Sequence, residues 1–310
     1  WPHAFNTWNR LGIHPNNDRH ALIGRCEQVF IRGYPLRQVM IGQHLARGTF
    51  YPDLVGKRLF VWTAGNDDLI KDKVQVEAST RGTLLSAKGN YLQFRGLRFR
   101  YAANAAQQGA AKFSGDYQLI EDCIFEKANS VGAQFTGKNL TVRRCVFQEN
   151  GQLGFLANRA HGLFFSECVV RGNNAKDFDR EWEAGANKLV LCRNVVLENS
   201  MFVENKGFGI WFDIGNEASE IRNCFISGND NSGIFYEISY GLHVHDNVII
   251  GNGFGRIPGL WGASAGISIS SSPNCVIERN LIVGNKEGIN FREQGRKTPR
   301  IDDRREWPVW

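Results

Sequence analysis

Two carboxylates stand out by type and spacing. Asp213 ends the word GIWFD, and Glu237 ends GIFYE, 24 residues further on. Each word alternates like a strand, whose successive side chains point to opposite faces. If the words are equivalent strands of consecutive repeats, both acids share one outward column, with Cα atoms about 4.8 Å apart. Carboxylates that close repel when both are ionised, so one keeps its proton toward neutral pH. A protonated acid beside an ionised carboxylate is what glycosidic cleavage requires. One group protonates the leaving oxygen while the other attacks or stabilises the oxocarbenium-like carbon. Carboxyl groups about 5–5.5 Å apart go with a retaining mechanism, and about 6.5–9.5 Å with an inverting one. One rung of a parallel coil supplies the shorter distance. Surface acids without a role are the plainer explanation. Against it stand Trp211 and Phe235, one outward aromatic near each acid, on which a sugar ring could stack.

The elements that must position this pair are repeats. Eight segments, from YLQFRGLRFR to NCVIERNLIVGNK, share an alternating apolar strand and an Asn/Gly turn. Their equivalent positions Leu97, Cys123, Cys145, Cys168, Ser200, Cys224, Asn247 and Asn280 are spaced by 26, 22, 23, 32, 24, 23 and 33 residues. That register, without helical periodicity, predicts an all-β right-handed parallel β-helix over residues 81–295. Leucine-rich repeats need a consensus that is absent, and propeller blades need about 40 residues or more. Cys123, Cys145, Cys168 and Cys224 should then stack inside, unbridged. Asn150, Asn173, Asn205, Asn229, Asn252 and Asn285 should form a ladder at the next turn, where Asn accepts left-handed geometry and its amide reaches the next rung.

A second strand in most rungs carries two outward columns. One holds Gln134, Leu156, Trp211, Phe235, Ser268 and Asn290; the other holds Thr136, Asn158, Asp213, Glu237, Ser270 and Arg292. The two long intervals contain KDFDREWEAGANK, with Arg180, Trp182, Glu183 and Lys188, and FGRIPGLWGASA, with Trp261. They border the rungs of the acids and read as loops walling a pocket. The expected substrate contacts are Trp211, Phe235, Tyr240, Asn158, Glu183, Lys188, Trp261, Asn290 and Arg292.

GIWFD, followed one rung later by FYEISYG, resembles the active-site rungs of glycoside hydrolase family 120, the β-helical β-xylosidases, over about residues 205–255. Family 141 is a more distant likeness. The resemblance implies a retaining hydrolase of plant or microbial poly- or oligosaccharides, with a β-xyloside-like substrate favoured. It implies Asp213 as nucleophile and Glu237 as general acid/base. Tyr236 and Tyr240 beside Glu237 would desolvate it and raise its pKa. Tyr240 stands where that family has a His, and IGNEAS follows Asp213 in place of a longer polar word. The family's associated β-sandwich would suit residues 1–80, which read as a small antiparallel β element or a sandwich remnant.

Composition bounds the rest. Apolar residues make up 42% and charged residues 22%, a globular balance. The 37 basic and 31 acidic residues are interspersed, unlike the concentrated basic face of a nucleic-acid binder. The basic run from Arg292 to Arg305 also holds Glu293, Asp302 and Asp303, and residues 296–310 read as a solvated tail. No apolar run approaches the ~18 residues of a membrane span. The seven cysteines include no CxxC pair or Cys/His metal spacing, and His3, His14, His20 and His44 are scattered. No cofactor is required; Ca²⁺ stays open but unsupported, with no Asp/Glu-dense site visible. The chain begins at Trp1 without a signal-peptide pattern and reads as trimmed or partial. Localisation stays open, an extracellular or periplasmic one being favoured, and the oligomeric state is not legible.

Two other functions stay open. A polysaccharide lyase or uronate epimerase would draw its base and cation from Lys188, Arg180, Tyr240 and Arg292. A non-catalytic carbohydrate-binding coil would use Trp211 and Phe235 alone.

Overall fold

Strands that recur every 22–24 residues can satisfy their backbone by pairing, each with its equivalent one turn on. The computed structural model describes residues 25–65, 67–180, 183–256 and 264–296 and shows this pairing throughout the coil. Three parallel sheets of nine, eight and eight strands run along a right-handed β-helix. The nine-stranded sheet, here the site sheet, runs from Leu85–Lys88 to Glu287–Arg292 and contains Ile210–Asp213 and Ile234–Glu237. The second sheet contains Glu217–Arg222 and Tyr240–His245, and the third contains Phe225–Ser227 and Val248–Ile250. Among the described residues the only helical element is a 3-10 turn, Gly42–His44, and no helix is long and apolar enough to cross a membrane.

The interior follows the alternation read from the sequence. Ile210, Phe212, Ile234, Tyr236, Ile267 and Ile269 point into the core behind the two acids. Earlier rungs fill it with phenylalanines. Phe125 stacks between Phe99 and Phe147, with centroids 5.1 and 4.8 Å away. Burying each such ring contributes about 1.5–3 kcal/mol.

The corners are polar, and there the chain closes its hydrogen bonds along the axis. Cys123, Cys145, Cys168 and Cys224 are buried and free, stacked as expected. From Asn150 to Asn252, each Asn gives both its backbone N–H and its Nδ2 to the Oδ1 of the next ladder Asn, at 2.8–3.1 Å. The left-handed geometry does not fall on these asparagines. It falls one residue earlier, on Glu149 and Glu204 and on Gly172, Gly228, Gly251 and Gly284, with φ of +52° to +68°. That residue bends the chain and swings the next side chain inside. A buried amide there has no water and must pair with its neighbours.

Ahead of the coil lie two three-stranded sheets. Their pairings are antiparallel as expected, except that Arg37–Gln38 lies parallel to Thr49–Asp53. Phe30 stacks on Tyr101 of the coil, with centroids 3.9 Å apart.

Asn205→Ala strips the acceptor from the buried N–H of Asn173. It should destabilise the protein by about 1–3 kcal/mol in urea unfolding. Asn285→Ala, at the half-exposed end of the ladder, should cost clearly less. Equal losses would mean that the ladder amides are not what holds the rungs.

Candidate active site

Four strands of the site sheet lie side by side: Gly185–Val190, Ile210–Asp213, Ile234–Glu237 and Ala265–Ser270. Their register runs Val190, Asp213, Glu237, Ser270 and then Arg292, so the two acids are direct neighbours on adjacent parallel strands. A second corner ladder fixes this register just past the acids. Cys192 N–H donates to Asn216 Oδ1 (3.0 Å), Asn216 N–H to Ser239 Oγ (3.1 Å), and Ser239 N–H to Ser272 Oγ (3.1 Å). The same side chains hold the backbone of the acids. Asn216 Nδ2 donates to the Asp213 carbonyl and the Ser239 hydroxyl to the Glu237 carbonyl, each at 2.8 Å.

The two acids have unlike surroundings. Asp213 Oδ2 accepts from Lys188 Nζ at 2.7 Å, while Oδ1 is buried without a hydrogen-bond partner among the described residues. Lys188 also holds Glu183 at 2.9 Å and lies 4.4 Å over the Trp211 ring. Burial disfavours its ammonium, but Asp213 and Glu183 outweigh that and hold its pKa above the ordinary lysine value. Glu237 accepts from Trp211 Nε1 (3.2 Å) and from Arg296 (2.7 Å). Burial pushes its carboxyl up first, and Asp213 adds to this. Arg296 and Lys188 pull back, leaving it at about 7. Glu183, Asp213 and Glu237 against Lys188 and Arg296 sum to −1 when all are ionised. One proton on Glu237 makes the cluster neutral.

Several expectations need correction. Trp211 and Phe235 are not open platforms; they are only 3% and 4% exposed. Phe208 packs on both, with centroids 4.7 Å from each. Alternation turns them outward, but it does not tell whether another side chain covers them. Lys188 is not in a loop. It sits on a strand, in the rung the repeat alignment passed over, directly beside Trp211 in the column. Tyr236 does not desolvate Glu237. It faces the core, and its hydroxyl donates to the Gly241 carbonyl at 3.1 Å. Arg296 does not belong to a solvated tail, since it reaches Glu237.

Glu183 joins the cluster through Lys188, but other named residues stand apart. Asn158 is half-buried two rungs before Asp213 and accepts from Arg159. Asn290 donates to Glu287 on the last strand. Arg180 is committed to Asp230 at 2.6 Å. Trp261 lies outside the described residues, as do Trp182 and residues 257–263, so the expected pocket walls fall partly outside them too. Tyr240 and Arg292 line a cleft of about 650 Å³ with Ser271, Pro273, Phe291 and Arg296. Neither carboxylate lines it; Arg296 connects it to Glu237. Sequence reading missed Arg296, Phe208 and Asn187. The last fixes the Trp211 rung by accepting its N–H at 3.2 Å. Nothing in the repeat pattern marks Arg296, which follows the final strand. Phe208 could have been noticed as the apolar residue just before GIWFD.

A solenoid wall bearing a facing, electrostatically unlike acid pair defines the class to which comparison applies. The family described as the right handed beta helix region matches residues 60–187, 113–262 and 182–303, and the chain belongs to it. No curated protein matches. Among solved structures, the complex of XylC with xylose aligns at 15% identity with a TM-score of 0.60, over 86% of this chain and 51% of that one. A structure titled glycoside hydrolase aligns at 14% identity and a TM-score of 0.53, over 84% of this chain and 57% of that one. The pectate lyase Pel9A aligns at 14% identity and 0.40, over 74% and 68%. The chain thus spans about half the length of the first of these. At such identities the likeness is one of fold, a fold that carbohydrate-active proteins use.

The raised pKa of Glu237 carries a stability consequence. Between its ordinary 4.5 and about 7, the native chain holds a proton that the unfolded chain has released. Stability should therefore fall as pH rises through that window, by about 3 kcal/mol in all. Glu237→Gln removes the titration. Urea unfolding of both proteins should show their free-energy difference shifting by that amount across the window, and a constant difference would exclude the raised pKa.

Proposed function

We propose that the chain is a retaining glycoside hydrolase with Asp213 as nucleophile and Glu237 as general acid/base. The observation that carries this reading is the inequality of two facing carboxylates. Glu237 has its carboxyl pushed up to about 7, and Asp213 is paired through one oxygen to a charged lysine while the other oxygen, buried, has no hydrogen-bond partner among the described residues. Groups driven apart in this way have the acid and nucleophile roles ready-made. In the first step Asp213 Oδ1 attacks the anomeric carbon, the glycosidic C–O bond breaks, and the Glu237 proton goes to the leaving oxygen. In the second, Glu237 takes a proton from water, which attacks the anomeric carbon and releases Asp213 from its ester. The ion pair from Arg296 engages Glu237 Oε2. A substrate that displaces Arg296 removes a stabiliser of the anion, so binding itself favours the protonated acid.

A β-xyloside is the substrate class to test first. The words around both acids resemble those of β-helical β-xylosidases, and XylC was solved with xylose. The lyase or epimerase reading retains one supporting feature, since Arg292, Arg296 and Tyr240 around the cleft could receive a uronate. Against it, Asp213 and Glu183 favour the charged form of Lys188, which is the wrong state for a base. The binding-module reading needs open aromatic platforms, and the burial of Trp211 and Phe235 counts against it.

Proton NMR of the first-formed sugar from an aryl β-xyloside should show retained configuration. Asp213→Ala should be inactive with every leaving group. Glu237→Ala should lose about 10²–10⁴ in kcat on poor leaving groups, far less on activated ones, and be rescued by azide. An inverted first product, an ultraviolet-absorbing unsaturated end, or an active Asp213→Ala would each refute the assignment.

Arg296→Ala gives a separate check on the acid. Removing the cation should move the high-pH limb of kcat/KM upward, because the anion of Glu237 loses its partner. A limb that stays in place would mean that Glu237 does not set it.

A further inference from the structure

The second sheet carries a polar patch that the reaction above does not use. Register sets Glu220 beside His243 and His245 beside Glu278 on neighbouring strands. His243 and His245 are two residues apart on one strand and share a face, with ring centroids 4.1 Å apart. His245 Nε2 is 2.8 Å from Glu220 Oε1, and His243 Nε2 is 3.1 Å from Glu278 Oε1. One donor atom each from Glu220, His243 and His245 lies within 4.8 Å of the other two. A zinc ion takes N and O ligands at about 2.0–2.2 Å, so these three donor atoms would draw together around it.

A second feature orients the set. His245 Nδ1 is bonded to Asp246 Oδ2 at 2.7 Å, and Arg279 holds Asp246 at 3.0 and 3.1 Å. This turns Nε2 toward Glu220, as a carboxylate behind a ligating imidazole does. The cations nearby do not close the site. Arg222 touches Glu220 at 2.8 Å, but it keeps two bonds to Glu198, at 2.8 and 2.6 Å, if an ion displaces that contact. Arg279 also binds Glu278 at 2.5 Å, which occupies the residue facing His243 and leaves the other three as the donor set. Two imidazoles with one carboxylate suit borderline transition ions rather than Ca²⁺ or Mg²⁺, which take oxygen ligands.

We propose that Glu220, His243 and His245 bind one divalent transition ion, with solvent in the remaining positions, and that the ion clips two consecutive rungs together. The donors come from two repeats, so no Cys/His spacing in the linear sequence marks them. The test is calorimetric titration of the full chain, first stripped with chelator, with Zn²⁺ and in parallel with Ca²⁺. One Zn²⁺ should bind per chain, Ca²⁺ should not compete, and Zn²⁺ should raise Tm. His243→Ala should lose at least about tenfold in affinity together with the Tm increase, and Asp246→Asn should weaken binding about 10–100-fold. His243 is 41% exposed at its side chain, so its alanine variant should fold; Asp213→Ala should bind Zn²⁺ like the wild type. Absence of Zn²⁺ binding, or the same affinity in wild type and His243→Ala, would overturn the proposal.

Discussion

Register along the coil axis is the constraint on which every other feature depends. A slip of one residue turns each side chain of a strand to the opposite face. In this wall it would drive Asp213 and Glu237 into the apolar core and expose Phe212 and Tyr236. The buried corner ladders prevent it. Each ladder residue hydrogen-bonds to the rung after it, and a slipped rung would leave those amides and hydroxyls unpaired away from water. The ladder through Cys192, Asn216, Ser239 and Ser272 lies two or three residues past the acids and also grips their carbonyls. The polar interior nearest the acid pair is therefore what holds it in place.

On this rigid frame the two acids begin equivalent and are made different by neighbours from other rungs. Lys188 comes from the rung before Asp213, and Arg296 comes from beyond the last strand. Buried ion pairs of this kind add little to stability, because the desolvation they require is large. An apolar side chain would have been the simpler way to cover the Trp211 ring, over which Lys188 lies. A charge network kept at such a cost, with one Asp213 oxygen unpaired among the described residues, is the feature on which the proposed function rests.

The fold was legible in the sequence because the corners demand small or amide side chains, chiefly Cys, Ser and Asn, at equivalent positions of successive turns. The Cys and Asn columns recur every 22–24 residues except where a turn carries an insertion, whatever lies between them. The acid column was legible for the same reason, since GIWFD and GIFYE are parallel words. Other parts of the site were hidden. The rung GANKLV follows a charged insertion and carries Asn187 and Lys188 where its neighbours carry aromatics or aliphatics, so it did not look like a rung. Alternation gives the face on which Trp211 lies, but not that Phe208 closes over it. Arg296 follows the last strand, where no periodicity reaches. The histidine patch depends on which strands are neighbours across the sheet, which linear spacing does not show.

A stack of rungs also restricts which chemistry can arise on it. Positions in one outward column can be separated only by whole strand spacings, about 4.8 Å each. Neighbouring rungs bring carboxylates within the span that permits direct attack on a sugar carbon, whereas a skipped rung opens a gap of about 9.6 Å, at or just beyond the reach of a water-mediated displacement. Inserting one whole turn between Asp213 and Glu237, which are now direct partners on adjacent strands, would set them two strand spacings apart, and on the reading proposed above that is too far for direct attack.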